Sequence, residues 1–133
     1  MSAEPYGKML RELHPTRQVP GDPPRRWFMS TKCDLIVWFR EDGTPSGFQF
    51  CYDKDAVEHA FTWMAGLGFN HMRVDTAGNY PFSGSGTPLL VANGTFDPRR
   101  ILDLFRAECE QVPPEFVSLV SEKLQALVDN HEV

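Results

Sequence analysis

The stretch Cys33-Asp34-Leu35-Ile36-Val37-Trp38-Phe39-Arg40 decides how this chain is read. Leu35, Val37 and Phe39 alternate with Asp34, Ile36, Trp38 and Arg40, which is the period of two of a β-strand. The strand is expected to run from about Trp27 to Arg40, and each later segment is able to fold back on the one before it. Glu41–Ser46 is a turn broken by Gly43 and Pro45. A second strand, Gly47–Tyr52, sets Phe48, Phe50 and Tyr52 on one side. Asp53-Lys54-Asp55 turns the chain into a third strand, about Glu58–Met64, with Phe61 and Trp63 together. Ala65-Gly66-Leu67-Gly68 is a glycine-rich hairpin turn, and a fourth strand, Phe69–Asp75, places Met72 and Val74 on one side.

Beyond the strands, residues 76–88 read as a long loop, the kind that is either functional or mobile. Leu89–Ala92 is a short apolar fifth strand that turns at Asn93-Gly94. Asp97-Pro98 is a helix start, with Asp as cap and Pro at the first helical position. This helix runs to about Glu110 and carries Ile101, Leu102, Phe105 and Cys109 on one stripe. A second helix, about Pro114–Asn130, carries Phe116, Val117, Val120, Leu124, Leu127 and Val128. Two amphipathic helices need an apolar surface to cover, and one face of the meander supplies it. The expected fold class is therefore α+β, an antiparallel meander of four to five strands packed by two C-terminal helices.

Residues 1–26 read as an extended or mobile N-terminal arm before a single domain over 27–133. Prolines crowd the arm, although Met9, Leu10 and Leu13 have the spacing of a short helix that Pro15 would stop. A chain of 133 residues with 41% hydrophobic content is long enough to bury a core. No apolar run approaches the ~18 residues that a membrane helix needs, so no membrane partner is expected. The start lacks a basic end followed by an apolar block, which favours the cytoplasm. A net charge of −5 argues against a nucleic-acid partner. Cys33, Cys51 and Cys109 are too scattered for a disulfide framework or a zinc site, and no spacing asks for a metal or cofactor.

Register follows from demanding that apolar residues share a face. Leu35, Val37, Phe39, Phe48, Phe50, Tyr52, Phe61, Trp63, Met72 and Val74 then form the core side, with His59 at its margin. The other side would hold a row of Trp38, Gln49, Thr62 and His71, a second row of Ile36, Cys51, Ala60 and Arg73, and a row of acids, Asp34, Asp53, Glu58 and Asp75. Two adjacent acids suit a hard cation, or Lys32, Arg73 and water neutralise them. His71 beside an aromatic wall and two neutral hydrogen-bonding groups suits a small polar ligand. Arg99 and Arg100 lie at the wrong end of their helix for its dipole, so a negative group, Asp97 or another acid, is expected close by. Gly84-Ser85-Gly86 reads as a flexible turn or an anion nest.

No stretch announces a chemistry, and two readings follow. In the first, the chain is a non-catalytic binding or assembly domain, a homodimer through the mixed face where Ile36, Trp38, Cys51, Met64 and Phe69 would be exposed. In the second, it binds a small molecule or is a modest enzyme built on His71, Arg73 and Asp75, with Trp38, Gln49 and Thr62 alongside and the 76–88 loop as lid.

Overall fold

The computed structural model describes residues 7–74 and 96–131. Six antiparallel strands follow each other in sheet order: β1 Arg11–Glu12, β2 Arg25–Met29, β3 Asp34–Phe39, β4 Pro45–Tyr52, β5 His59–Met64 and β6 Gly68–Arg73. Two helices, α1 Pro98–Glu108 and α2 Pro114–His131, close one face. The fold is α+β, a meander with two C-terminal helices. The expected fifth strand, Leu89–Ala92, lies outside the described residues.

The long first strand of the sequence reading is two strands. Ser30 breaks it: its backbone N–H donates to the Cys33 carbonyl (2.8 Å), and its Oγ accepts from the Cys33 N–H (3.0 Å). That local bonding satisfies the backbone in a tight turn and folds Arg25–Met29 back onto Asp34–Phe39. The short helix expected around Met9 to Leu13 is replaced by β1. Leu10 donates its N–H to Glu108 at the end of α1 and is fully buried, while Leu13 donates to Trp27. Backbone groups that find partners in the sheet and at a helix end have no need of a helix of their own.

Cross-strand partners define the faces. Phe28, Leu35, Phe50, Phe61 and His71 lie opposite one another along successive strands, and so do Arg26, Val37, Phe48, Trp63 and Phe69. These rows face the helices. Phe50 meets Phe105 of α1 edge-on at 5.5 Å, and Phe28 meets Phe116 of α2 at 6.0 Å. On α2, Phe116, Val120, Leu124 and Val128 recur every four residues and are all buried. Asp97 caps α1 by accepting the Arg100 N–H at 3.1 Å, and Pro98 follows it, as the sequence pattern implies.

Two departures in register matter for the site. In β4, Gln49 opposes Ile36 and Cys51 opposes Asp34, two residues away from the expected pairing with β3, so the faces hold but the rows move. Between β5 and β6 the slip is one residue. Met64 opposes Gly68 across a three-residue loop, with Gly66 at φ 81 and Gly68 at φ 93, where a four-residue turn was expected. A slip of one residue turns every side chain of a strand to the other face. His71 and Phe69 therefore face the helices, while Met72 opposes Ala60 on the other side and is 45% exposed. Val74, also expected in the main core, packs with Cys51 and Ala60 instead.

Gly47 gives this packing its sharpest sequence requirement. A Cβ there would overlap Met64 Sδ and stand 2.6 Å from the Trp63 carbonyl oxygen. Gly47→Ala is expected to destabilise the fold by about 1–3 kcal/mol, because the carbonyl contact is backbone and cannot swing away. Phe105→Ala is expected to cost about 3–5 kcal/mol. Urea denaturation checks both, the midpoint falling with little change in slope.

Candidate functional site

The one-residue slip gathers a different set of side chains from the one the sequence suggested. On the helix side, at the end of the sheet nearest the start of α1, Tyr52, His59 and Arg73 are register partners on β4, β5 and β6. His71 stands one pleat inward on the same face, opposite Phe61. The His59 and His71 rings are parallel to within 4°, their centroids 5.2 Å apart. Tyr52 shares the stack, and Phe96, just before α1, covers His71 at 4.9 Å.

The hydrogen bonds fix the protons. His59 Nδ1 lies 3.0 Å from the Val57 carbonyl oxygen, so it carries the hydrogen and donates it, which leaves Nε2 with a lone pair and no partner among the described residues. Tyr52 Oη and His71 Nε2 are bonded to each other. The buried phenol is satisfied when its O–H donates to Nε2, and this puts the His71 hydrogen on Nδ1. Burial, and then the neighbouring His59, push the His71 imidazole down to about 4. Burial pushes the Tyr52 phenol up, with the Asp53 charge adding to it. Both members of the pair are thus neutral near pH 7.

Two arginines flank the stack in different states. Arg100 makes two bonds of 2.9 Å to the Asp53 carboxylate and lies over the Tyr52 ring at 5.8 Å. Asp53 is the acid that compensates Arg100 at the positive end of α1, and its backbone sits in the left-handed region at φ 57 to present it. This exposed pair adds little stability and serves mainly to hold Arg100 against the ring. Arg73, by contrast, is exposed and forms no ion pair among the described residues.

The predicted candidates are divided by the sheet. Trp38, Gln49 and Thr62 point to the face away from the helices, and His71 and Arg73 to the face beneath them. Asp75, the 76–88 loop and the Gly84–Gly86 turn lie outside the described residues. Gln49 and Thr62 are partners, as expected, and Thr62 Oγ1 donates to Gln49 Oε1 at 3.2 Å. Asn70 takes the place expected for His71 in their row. The acid row also dissolves. Asp34 opposes Cys51 and binds Lys54 at 2.9 Å, while Asp53 holds Arg100. Among the described residues no three metal-ligating side chains converge.

The mixed face differs from expectation in exposure as well. Ile36 is 3% exposed, Gln49 and Thr62 1%, and Cys51 0%, so these residues are not free surface in the single chain. Burial pushes the Asp34 carboxyl up despite its lysine, and Glu58 shifts the same way through burial and the Asp34 charge. Burial also raises the thiols of Cys33 and Cys51, so neither is an activated nucleophile. Tyr52 and Phe96 were not singled out as site residues, and Asp53 was expected in the acid row and not beside Arg100. The signal for them was the length of the β5–β6 loop, because that length alone turns His71 toward Tyr52.

A histidine held neutral by burial makes stability depend on pH in one direction. Its folded value lies below the ordinary 6.5, so the unfolded chain takes up a proton first as the pH falls. The contribution is complete above pH 6.5 and is lost between 6.5 and about 4, with an upper bound of roughly 3 kcal/mol. Asp34 and Glu58, raised in the fold, bind protons there in the opposite sense, so the wild-type curve alone mixes the effects. The Tyr52→Phe/His71→Phe double variant leaves no polar group unpaired at this contact. Its urea stability is expected to fall less than the wild type's between pH 6.5 and 4.

Comparison with protein-family models, with curated proteins and with solved structures found no match, so the chemistry of this site is read from its own geometry.

Proposed function

We propose that this chain is a binding domain for a small oxyanion, a carboxylate or phosphate group on a compact ligand, received where His59, His71 and Arg73 meet. The observation that carries the reading is the exposed Arg73 guanidinium, which has no ion pair among the described residues and is the register partner of a histidine whose Nε2 likewise has no partner among them. Arg73 would supply the planar fork that suits such a group. His59 Nε2 accepts from the O–H of a monoprotonated phosphate or from a hydroxyl on the body of a carboxylate ligand, and the His71 Nδ1–H is a neutral donor for the oxyanion itself. The parallel imidazole rings offer a flat apolar wall for the body of the ligand.

Binding is favoured over catalysis by the protonation states. Tyr52, Cys33 and Cys51 are all shifted toward their neutral forms, and His71 already spends its basic nitrogen on Tyr52. An assembly role through the opposite face is the second reading. It is favoured by the exposed Met72, with Trp38 and Met64 half-buried on the same side. Light scattering on a gel-filtered sample separates the two, since a monomer that binds the anion fits only the first. A soluble cytoplasmic setting accords with both readings, and no helix of the described residues is long and apolar enough to cross a membrane.

The test is a titration of the full chain with inorganic phosphate and with small aromatic carboxylates, followed through the histidine ring resonances and by calorimetry. Binding should perturb His59, His71 and Arg73 together. Arg73→Gln should weaken it by tenfold or more, about 1.4 kcal/mol, without changing stability. Unchanged affinity in Arg73→Gln, or silence at the three residues up to millimolar ligand, would refute the proposal.

A further inference from the structure

A second recognition surface lies on the other helix, away from the histidine stack. α2 presents Glu115, Ser118, Leu119 and Glu122 on one stripe, at the i, i+3, i+4, i+7 spacing of a single helix face. That stripe and the β3–β4 turn at Gly43 and Pro45 enclose an open groove of about 430 Å³. Its floor is apolar: the Phe39 and Phe116 rings meet at 5.7 Å, and Leu119 lies beside them.

The groove carries two cations, Arg26 and Arg40, and a larger number of acids. Arg26 reaches its wall, but Glu12 holds that guanidinium through two bonds of 2.7 and 2.6 Å, and the rings of Phe28 and Phe116 lie beneath it. The hydrogen bond to Glu12, and to a lesser degree the Glu115 charge, raise the Arg26 guanidinium, yet neither Glu115 nor Glu122 makes a hydrogen bond or ion pair among the described residues. With Arg26 bonded to Glu12, the two α2 carboxylates stand over an apolar floor with no hydrogen-bonded cation among the described residues. The turn at the other rim carries Glu41 and Asp42 beside Arg40, whose guanidinium donates to the Thr44 hydroxyl and the Pro45 carbonyl, so that rim adds one net negative charge.

The geometry points to a docking site for a short basic segment of another protein, with two cationic side chains flanking an apolar one. Glu122 follows Glu115 by seven positions of helix, about 10 Å along the axis. A chain in the polyproline II conformation rises about 3.1 Å per residue with three residues per turn, so basic residues at i and i+3 lie on one side about 9 Å apart and reach both carboxylates, while an apolar residue between them is turned toward the Phe39–Phe116 floor. The chain's own basic pair at this spacing is Lys8 and Arg11, but of the apolar residues between them Leu10 is fully buried and Met9 half-buried, and Arg11 lies in β1, so a folded second copy does not present the pattern freely. Its basic doublets are Arg25-Arg26 and Arg99-Arg100, and Arg26 and Arg100 are each held by an acid of their own chain.

Blocked hexapeptides test this on the full chain. One carries two lysines three residues apart with a leucine between them, a second replaces the lysines by glutamates, and a third replaces the leucine by glycine. The expected result is that only the first shifts the amides of residues 115–122 and 39–45, and that its affinity falls steeply with salt. Glu115→Gln/Glu122→Gln, two surface changes that leave the core intact, should weaken it at least tenfold and flatten the salt dependence. Equal binding of the glutamate peptide, shifts that map elsewhere, or unchanged affinity in the double variant would overturn the proposal. So would shifts of the same amides with protein concentration alone, which would make the occupant a second copy.

Discussion

The arrangement of this domain hangs on the turn that joins β5 to β6. Met64 accepts from the Leu67 N–H at 3.0 Å, and Gly66 and Gly68 take up the left-handed conformations that close the chain in three residues. A side chain in that region costs about 1 kcal/mol, so the glycines make the short loop inexpensive and thereby choose the register. Because the pleat has a period of two, the loop fixes which face every residue of β6 occupies. His71 goes under the helices with Tyr52, and Asn70 takes the outward row with Thr62.

From that constraint the chemistry follows in order. Burial of His71 against Phe61 and Phe96 removes water from its ring, which favours the neutral imidazole and supplies the acceptor that a buried tyrosine needs. The pair is polar but satisfied, so it tolerates a place at the margin of an otherwise aromatic core. Arg100 is absorbed into structure by Asp53, and Arg26 by Glu12. The charges without an ion pair among the described residues, Arg73 at one end and Glu115 with Glu122 at the other, are where partners of opposite charge gain most. The two surfaces carry opposite signs, which separates the ligands they select.

Much of the architecture was legible in the residues. The meander, both helices, the Asp97 cap and the pairing of Gln49 with Thr62 follow from alternation, capping chemistry and the demand for a common apolar face. The faces of β3, β4 and β5 were right for the same reason, since Phe48, Phe50 and Phe61 are strongly apolar on one side. β6 was not legible in this way. Phe69, His71 and Arg73 on one face and Asn70, Met72 and Val74 on the other carry comparable apolar weight, so the pattern does not distinguish the registers. Ala65-Gly66-Leu67-Gly68 fits a three- or a four-residue loop equally well. Ser30 was missed because a turn without glycine or proline, held by one hydroxyl, leaves almost no mark in a run of strand-forming residues.

Cross-strand and ring nuclear Overhauser effects at His71 address the register most directly. The account predicts contacts from the His71 ring to Tyr52, Phe61 and Phe96, with the Asn70 side chain instead meeting Thr62. Contacts from the His71 ring to Thr62, Gln49 or Trp38 would put the imidazole on the far face of the sheet. They would remove the tyrosine–histidine pair and, with it, the oxyanion site.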